Sequence, residues 1–199
     1  MMVDAKGAIF DGDQLLYVIA RHRRSKNLGG VVGTLMTNLA IENGFKDLHI
    51  PFVRSAVGDR YVHEKLIENG WVLGGEGSGH VICLDKHTTG DGIVSALQVL
   101  AVLRESQKSL AQCLSSVELY PQLLHNIRLT DKLNERQMMR VQALGKATEE
   151  RLGSRYRVLI RASGTEPLLR VMVEGECKDA VADAVKKLSD AIGLIIKEA

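Results

Sequence analysis

Apolar residues recur along this chain in two rhythms: short runs bounded by glycine, and longer stretches in which they return every three or four positions. Leu15, Leu16, Tyr17, Val18 and Ile19 predict the buried side of a helix that starts near Asp13, with Asp13 as its cap, and ends before Gly29-Gly30. Val31 to Thr34 reads as a strand, Leu35 to Asn43 as a helix stopped by Gly44, and Ile50 to Val53 as a further strand. A helix over Tyr61 to Asn69, strands at Trp71 to Leu73 and Val81 to Leu84, and a long helix from Gly92 to about Gln107 follow. Strands alternating with helices of this length predict an α/β layer around a mixed, mostly parallel sheet with flanking helices.

The polar stretch Ser106 to Pro121 marks a boundary. Beyond it, Leu123 to Leu129, Arg155 to Arg161 and Leu169 to Glu174 read as strands, and Glu135 to Arg151 as a helix closed by Gly153. Lys178 to Lys197 has the spacing of an amphipathic helix, so this half predicts a small α+β domain. At the start, Asp4-Ala5-Lys6-Gly7 supplies turn chemistry between Met1-Met2-Val3 and Ala8-Ile9-Phe10, a hairpin with one short arm. The expected organisation is residues 1–10 as the tail of a preceding domain, 11–118 as the α/β domain and 119–199 as the α+β domain.

Composition narrows the function classes. A net charge of +2 lacks the basic excess of a nucleic-acid face, and aromatics at 4% are too few for base stacking. Cys83, Cys113 and Cys177 are far apart and odd in number, which favours reduced thiols in a cytoplasmic protein. No apolar run is long enough to cross a membrane and no signal-peptide pattern opens the chain. The basic run Arg21 to Lys26 falls at a helix C-terminus, where it complements the dipole. Asp11 and Asp13 have a metal-loop spacing but offer too few oxygens for a hard cation.

Four loops carry candidate chemistry. In "RASGTEPLLR", Arg161 and Arg170 bring guanidinium forks, Ser163 and Thr165 bring hydroxyls, and Gly164 lets backbone amides approach a ligand, a set suited to a phosphate. A tight turn flanked by surface arginines is the alternative. In "GGEGSGH", Gly74 to His80, Glu76 accepts hydrogen bonds while Ser78 and His80 can give or accept, which suits vicinal sugar hydroxyls; a plain strand connection is the alternative. In "AVGDRYV", Gly58, Asp59 and Arg60 frame a helix N-terminus able to attract an anion, or one that Asp59 simply caps. In "TTGDGI", Asp91 reads as a helix cap.

In this order, "FDGDQLL", "VGTLMTNLA", "VGDRYV", "GGEGSGHVICLDKHTTGDGIVSALQVL" and "RASGTEPLLRVMVEG" resemble the C-terminal half of the α-D-phosphohexomutase superfamily, most closely its bacterial phosphoglucosamine mutase family. The resemblance spans essentially the whole chain and implies the third and fourth of four domains. It implies that Glu76 and Ser78, with His80 nearby, recognise the sugar, that Gly58, Asp59 and Arg60 lie in a neighbouring substrate loop, and that Arg161, Ser163, Gly164 and Thr165 grip the phosphate. The implied reaction interconverts glucosamine 6-phosphate and glucosamine 1-phosphate through a phosphoserine and a bisphosphate intermediate, in the synthesis of amino-sugar nucleotides and cell-wall precursors.

The family's phosphoserine loop, Thr-Ala-Ser-His-Asn-Pro, has no counterpart in this sequence, and its magnesium loop would fall before Met1. The resemblance therefore implies Mg2+ bound outside this chain, the missing N-terminal domains as partners, and no turnover by these 199 residues alone. A phosphomannomutase, a phosphoglucomutase, or a non-catalytic sugar-phosphate-binding module are the alternatives.

Overall fold

The computed structural model describes residues 1–25, 28–163 and 166–198, which divide into two compact units, Met1–Leu119 and Tyr120–Ala199. The first unit begins with a hairpin of β1 (Met2–Val3) and β2 (Ile9–Phe10), whose turn is held by Lys6 and Ala8 amides donating to Asp4 Oδ1. Then follow α1 (Gly12–Arg23), β3 (Val31–Thr34), α2 (Leu39–Asp47), β4 (Phe52–Ser55), α3 (Asp59–Asn69), β5 (Leu73–Gly75), β6 (Val81–Cys83), α4 (Gly92–Ser106) and α5 (Leu110–Cys113). The sheet order is β4-β3-β5-β6, with β3, β4 and β5 parallel and β6 antiparallel at the edge.

Neighbouring strand residues feed opposite layers, as the pleat requires. Val31, Val81 and Cys83 join the core beneath α1, whereas Val32 and Ile82 pack with Val62 and Leu66 of α3 on the other face. Helix α1 is buried from Leu15 through Ala20 because it is flanked by α2 and α4 as well as the sheet. Fully burying each of its large side chains contributes about 1.5–3 kcal/mol. Tyr17, Phe45 and Phe52 form a ring ladder with centroids 5.6 and 5.4 Å apart.

Two helix expectations need correction. Asp13 does not cap α1; Asp11 does, accepting from the Gln14 amide at 2.9 Å while Gln14 reaches back to the Asp11 amide. Helix α2 runs through Gly44 and starts only at Leu39, because Thr34 to Thr37 form a turn in which the Thr34 amide donates to Thr37 Oγ1 at 3.0 Å. Gly44 is a packing glycine: a Cβ there would meet the Tyr17 ring at 2.8 Å. The basic run is tied down within the unit, with Arg21 donating to the Cys113 carbonyl and Arg23 to Asp85 and Gln98; Lys26 lies outside the described residues.

The second unit is a three-stranded antiparallel sheet in the order β7-β9-β8, made of β7 (Gln122–Arg128), β8 (Tyr156–Ala162) and β9 (Leu168–Gly175). Helices α6 (Glu135–Leu152) and α7 (Lys178–Lys197) pack on it. Val171 and Val173 of β9 meet Val185, Leu188 and Ile192 of α7 in its core. Cys83 and Cys113 are buried, Cys177 is exposed, and all three are free thiols. Among the described residues no helix is long and apolar enough to cross a membrane.

Candidate substrate-recognition site

The three parallel strands of the first unit end at one edge of the sheet, and the loops leaving that edge carry most of the expected chemistry. After β3 the chain turns to β4 on one side, and later returns to β5 on the other, so these loops open at the point where the strand order reverses. Gly58, which ends the loop after β4, has φ +127°, a conformation that side chains rarely adopt, and this aims its amide at the neighbouring loop. That N–H donates to Glu76 Oε1 at 2.9 Å. Two loops read separately in the sequence are thus joined through one carboxylate.

The "GGEGSGH" segment is shorter as a loop than expected, since Gly74 and Gly75 belong to β5 and only Glu76 to His80 form the turn. The turn is closed by Glu76 N–H to the His80 carbonyl and Gly79 N–H to the Glu76 carbonyl, both 2.9 Å. It is fastened to α1 by Gly12 N–H donating to the Gly77 carbonyl at 2.9 Å. Glu76 is half-buried, while Ser78 and His80 are exposed at the tip. Asp59 does not cap α3, where Gly58 holds the cap position; its carboxylate accepts from the Arg60 amide at 2.7 Å. Arg60 is exposed and pairs with Glu64 at 2.8 Å. Asp59 and Arg60 line a groove of about 340 Å³ with His63, Thr88 and Thr89. Asp91 caps α4 as expected, accepting from the Ile93 and Val94 amides.

In the second unit, Arg161 on β8 and Arg170 on β9 are direct cross-strand partners and share one face of the sheet. Four positions away on the same face, Arg157 meets Glu174 at 2.7 Å, a neutralised pair. The Arg161–Arg170 row instead sets two guanidinium groups opposite each other, with the Glu166 carboxylate near Arg170. Arg170 Nη2 stands 3.5 Å from Ser163 Oγ and 3.6 Å from Glu166 Oε2, and its Nε is buried without a partner among the described residues. The Ser163 amide donates to the Leu168 carbonyl at 2.8 Å, which closes the base of this loop. A cavity of about 730 Å³ lies beside it, lined by Leu129 to Leu133, Met138 and Ser163, among others. Gly164 and Thr165 lie outside the described residues.

Residues 11–120 match the family described as Phosphoglucomutase/phosphomannomutase, alpha/beta/alpha domain III, and residues 124–191 match the C-terminal domain of the same family. The chain belongs to the phosphoglucomutase/phosphomannomutase family. Within this family it is 54% identical over 194 residues to a phosphoglucosamine mutase of Nitrosospira multiformis, covering 96% of the chain and 42% of that protein. It is 55% identical over 197 residues to a phosphoglucosamine mutase of Vibrio vulnificus, covering 96% of the chain and 44% of that protein. The chain therefore spans less than half the length of these curated relatives. Its fold is similar to Aspergillus fumigatus N-acetylphosphoglucosamine mutase, solved with GlcNAc-6P and magnesium, at TM-score 0.73 and 20% identity, covering 96% of this chain and 49% of that one. It is likewise similar to a phosphoglucomutase/phosphomannomutase family protein of Burkholderia thailandensis, at TM-score 0.74 and 20% identity, covering 96% and 44%.

Magnesium, present in the Aspergillus fumigatus complex, needs converging oxygens, and the described residues do not provide them. Among the described residues no group of three or more His, Cys, Asp or Glu side chains comes together, and Asp11 accepts the capping bond of α1. One charged residue beneath the Glu76–His80 turn reads in the sequence only as a helix cap. Asp13 is 3% exposed, directly beneath the Glu76–His80 turn, and its Oδ2 accepts from the Asn38 amide at 2.9 Å. Burial pushes its pKa from 3.8 up to about 6, with Asp11 adding to the rise, while the Asn38 amide, Thr37 and Arg54 oppose it. The signal was present: Asp13 shares a helical face with Leu16, Tyr17 and Ala20, so a carboxylate stands in an apolar stripe.

Proposed function

We propose that this chain is the substrate-recognition half of a phosphoglucosamine mutase, whose full-length form interconverts glucosamine 6-phosphate and glucosamine 1-phosphate by way of a bisphosphate intermediate. The observation that carries this reading is the close similarity, over 96% of the chain, to proteins named for that activity. The geometry supports it from both units. Glu76, oriented by the Gly58 amide, presents its remaining oxygen to sugar hydroxyls, with Ser78 and His80 exposed beside it and Asp59 and Arg60 on the adjoining loop. Arg161, Arg170 and Ser163, with Gly164 and Thr165, serve the phosphate.

The division of labour follows from the reaction. The phosphate moves between two positions of one sugar, so anion binding and hydroxyl recognition belong on separate loops, each able to serve either orientation. The phosphoserine and magnesium that supply the phosphoryl group and neutralise its charge belong, by the family's pattern, to the part of the protein outside this chain. The present residues bind and orient, and alone they turn nothing over. Three free thiols accord with a cytoplasmic setting.

The test uses the full-length protein in coupled assays with glucosamine, glucose and mannose phosphates. Preference for the glucosamine ester is expected. In titrations of the same protein, Arg161→Ala weakens binding by at least about tenfold, the loss of one charge-assisted hydrogen bond. A stronger turnover of mannose or glucose esters, or unchanged affinity in Arg161→Ala, refutes the assignment.

A further inference from the structure

Asp13 is a buried carboxylate on which three backbone segments rest. Its own helix begins at Gly12, which touches the Glu76–His80 turn so closely that a Cβ there would lie 2.0 Å from the Glu76 carbonyl oxygen. The start of α2 hangs from it through the Asn38 amide, at 2.9 Å from Oδ2. The turn itself lies on the carboxylate, since a Cβ on Gly77 would meet Asp13 Oδ2 at 3.4 Å and Oδ1 at 3.6 Å. The second oxygen, Oδ1, is buried with no hydrogen-bond partner among the described residues. A core residue kept only for packing has no use for an unsatisfied carboxylate oxygen, since isosteric apolar side chains fill the same space without that cost.

We propose that Asp13 is a positioning residue: its ionised carboxylate sets the height of the Glu76–His80 turn against the start of α2, and so fixes Glu76 for the sugar. This rests on the assignment of that turn to substrate recognition. The groups facing the carboxylate are Asp11 from the preceding turn, Thr37 and the Asn38 amide from the β3–α2 loop, and Arg54 from β4, itself paired with Glu42 of α2. The β5–β6 turn presents only backbone at Gly77. Removing the charge weakens the bond to Asn38, because charge-assisted hydrogen bonds are roughly twice as strong as neutral ones. The turn is then free to settle at a different height, and Glu76 moves with it.

Two measurements test the proposal. In this 199-residue chain, amide NMR signals of Asn38 and Gly77 are followed through a pH titration. A common midpoint near 6 is expected, absent in Asp13→Asn. In the full-length enzyme, Asp13→Asn at pH about 7.5 raises the KM for glucosamine 6-phosphate about tenfold while kcat stays within about threefold. The substrate phosphate titrates in the same range, so the readout is the difference between the two pH profiles: the wild type loses affinity through its acid limb, and Asp13→Asn loses only what the substrate's own ionisation accounts for. Asp11→Asn, which keeps a capping side chain, retains the acid limb but moves it to lower pH, because the Asp11 charge that helps raise Asp13 is gone. Absence of a shared midpoint at Asn38 and Gly77, or an unchanged KM in Asp13→Asn, overturns the proposal. A full-length enzyme inactive on every hexose phosphate refutes the functional reading instead, while the amide titration still decides whether Asp13 holds the turn.

Discussion

Gly12 and Gly92 form a matched pair that isolates the contact between α1 and the Glu76–His80 turn. Each is the first residue of a helix and each follows a capping aspartate. A Cβ on Gly92 meets nothing within 4 Å, whereas one on Gly12 would stand 2.0 Å from the Glu76 carbonyl oxygen, 2.6 Å from the Gly79 nitrogen and 2.8 Å from Gly79 Cα. All three are backbone atoms, so no side chain can swing away. The turn must rise by more than about 1 Å to restore a normal contact of about 3.5 Å. Overpacking of this kind costs about 1–3 kcal/mol, and loss of the Gly12–Gly77 hydrogen bond adds about 1 kcal/mol. Against this, replacing glycine by alanine in a helix gains up to about 1 kcal/mol. The net for Gly12→Ala is a destabilisation of about 1–4 kcal/mol, or a Tm lower by roughly 5–15 °C for a unit of this size. Gly92→Ala is neutral or stabilising by up to about 1 kcal/mol. Calorimetric melts of both variants decide the matter. Equal Tm values for Gly12→Ala and wild type would show that the turn is not fastened to α1 as described.

Glu174→Gln leaves the Arg157 guanidinium in a site where Glu174 is fully buried and the arginine side chain only 14% exposed, so it costs about 3–5 kcal/mol in urea unfolding. Glu198→Gln, which breaks the exposed pair with Arg140, leaves the unfolding midpoint unchanged. The amides of Val94 and Ile93 hold Asp91 below its ordinary pKa of 3.8, so its ionisation stabilises the fold above that value and the benefit is lost as pH falls through the lower, folded-state value. Melts from neutral to strongly acidic pH are therefore expected to separate wild type from Asp91→Asn at neutral pH and to converge in acid; a gap independent of pH contradicts the capping role.

The sequence by itself determined the parts. Burial periodicity is local, so the order of strands and helices and the change from an α/β to an α+β pattern were legible before any coordinates, as were the loops rich in glycine and charge. The roles proposed for Glu76, Ser78, Arg161 and Arg170 start from the chemistry of their side chains alone. Where the reading slipped, a local signal had two meanings. Asp11 and Asp13 are both good caps, and Gly44 can stop a helix or let another helix approach. Only packing against Tyr17 and the Gly77 turn tells these apart.

The tertiary structure decided which groups meet. That Gly58 donates to Glu76 depends on β3 lying between β4 and β5, and that Arg161 faces Arg170 depends on the register of one antiparallel pair. A shift of one residue in that pairing would remove the facing cations without altering a letter of the chain. Asp13 was visible as a carboxylate in an apolar stripe, but its desolvation is a property of what folds over it, supplied by residues 25 to 64 positions further along. Charge is written in the sequence, while the dielectric around it is set by packing, and the functional consequence belongs to the second.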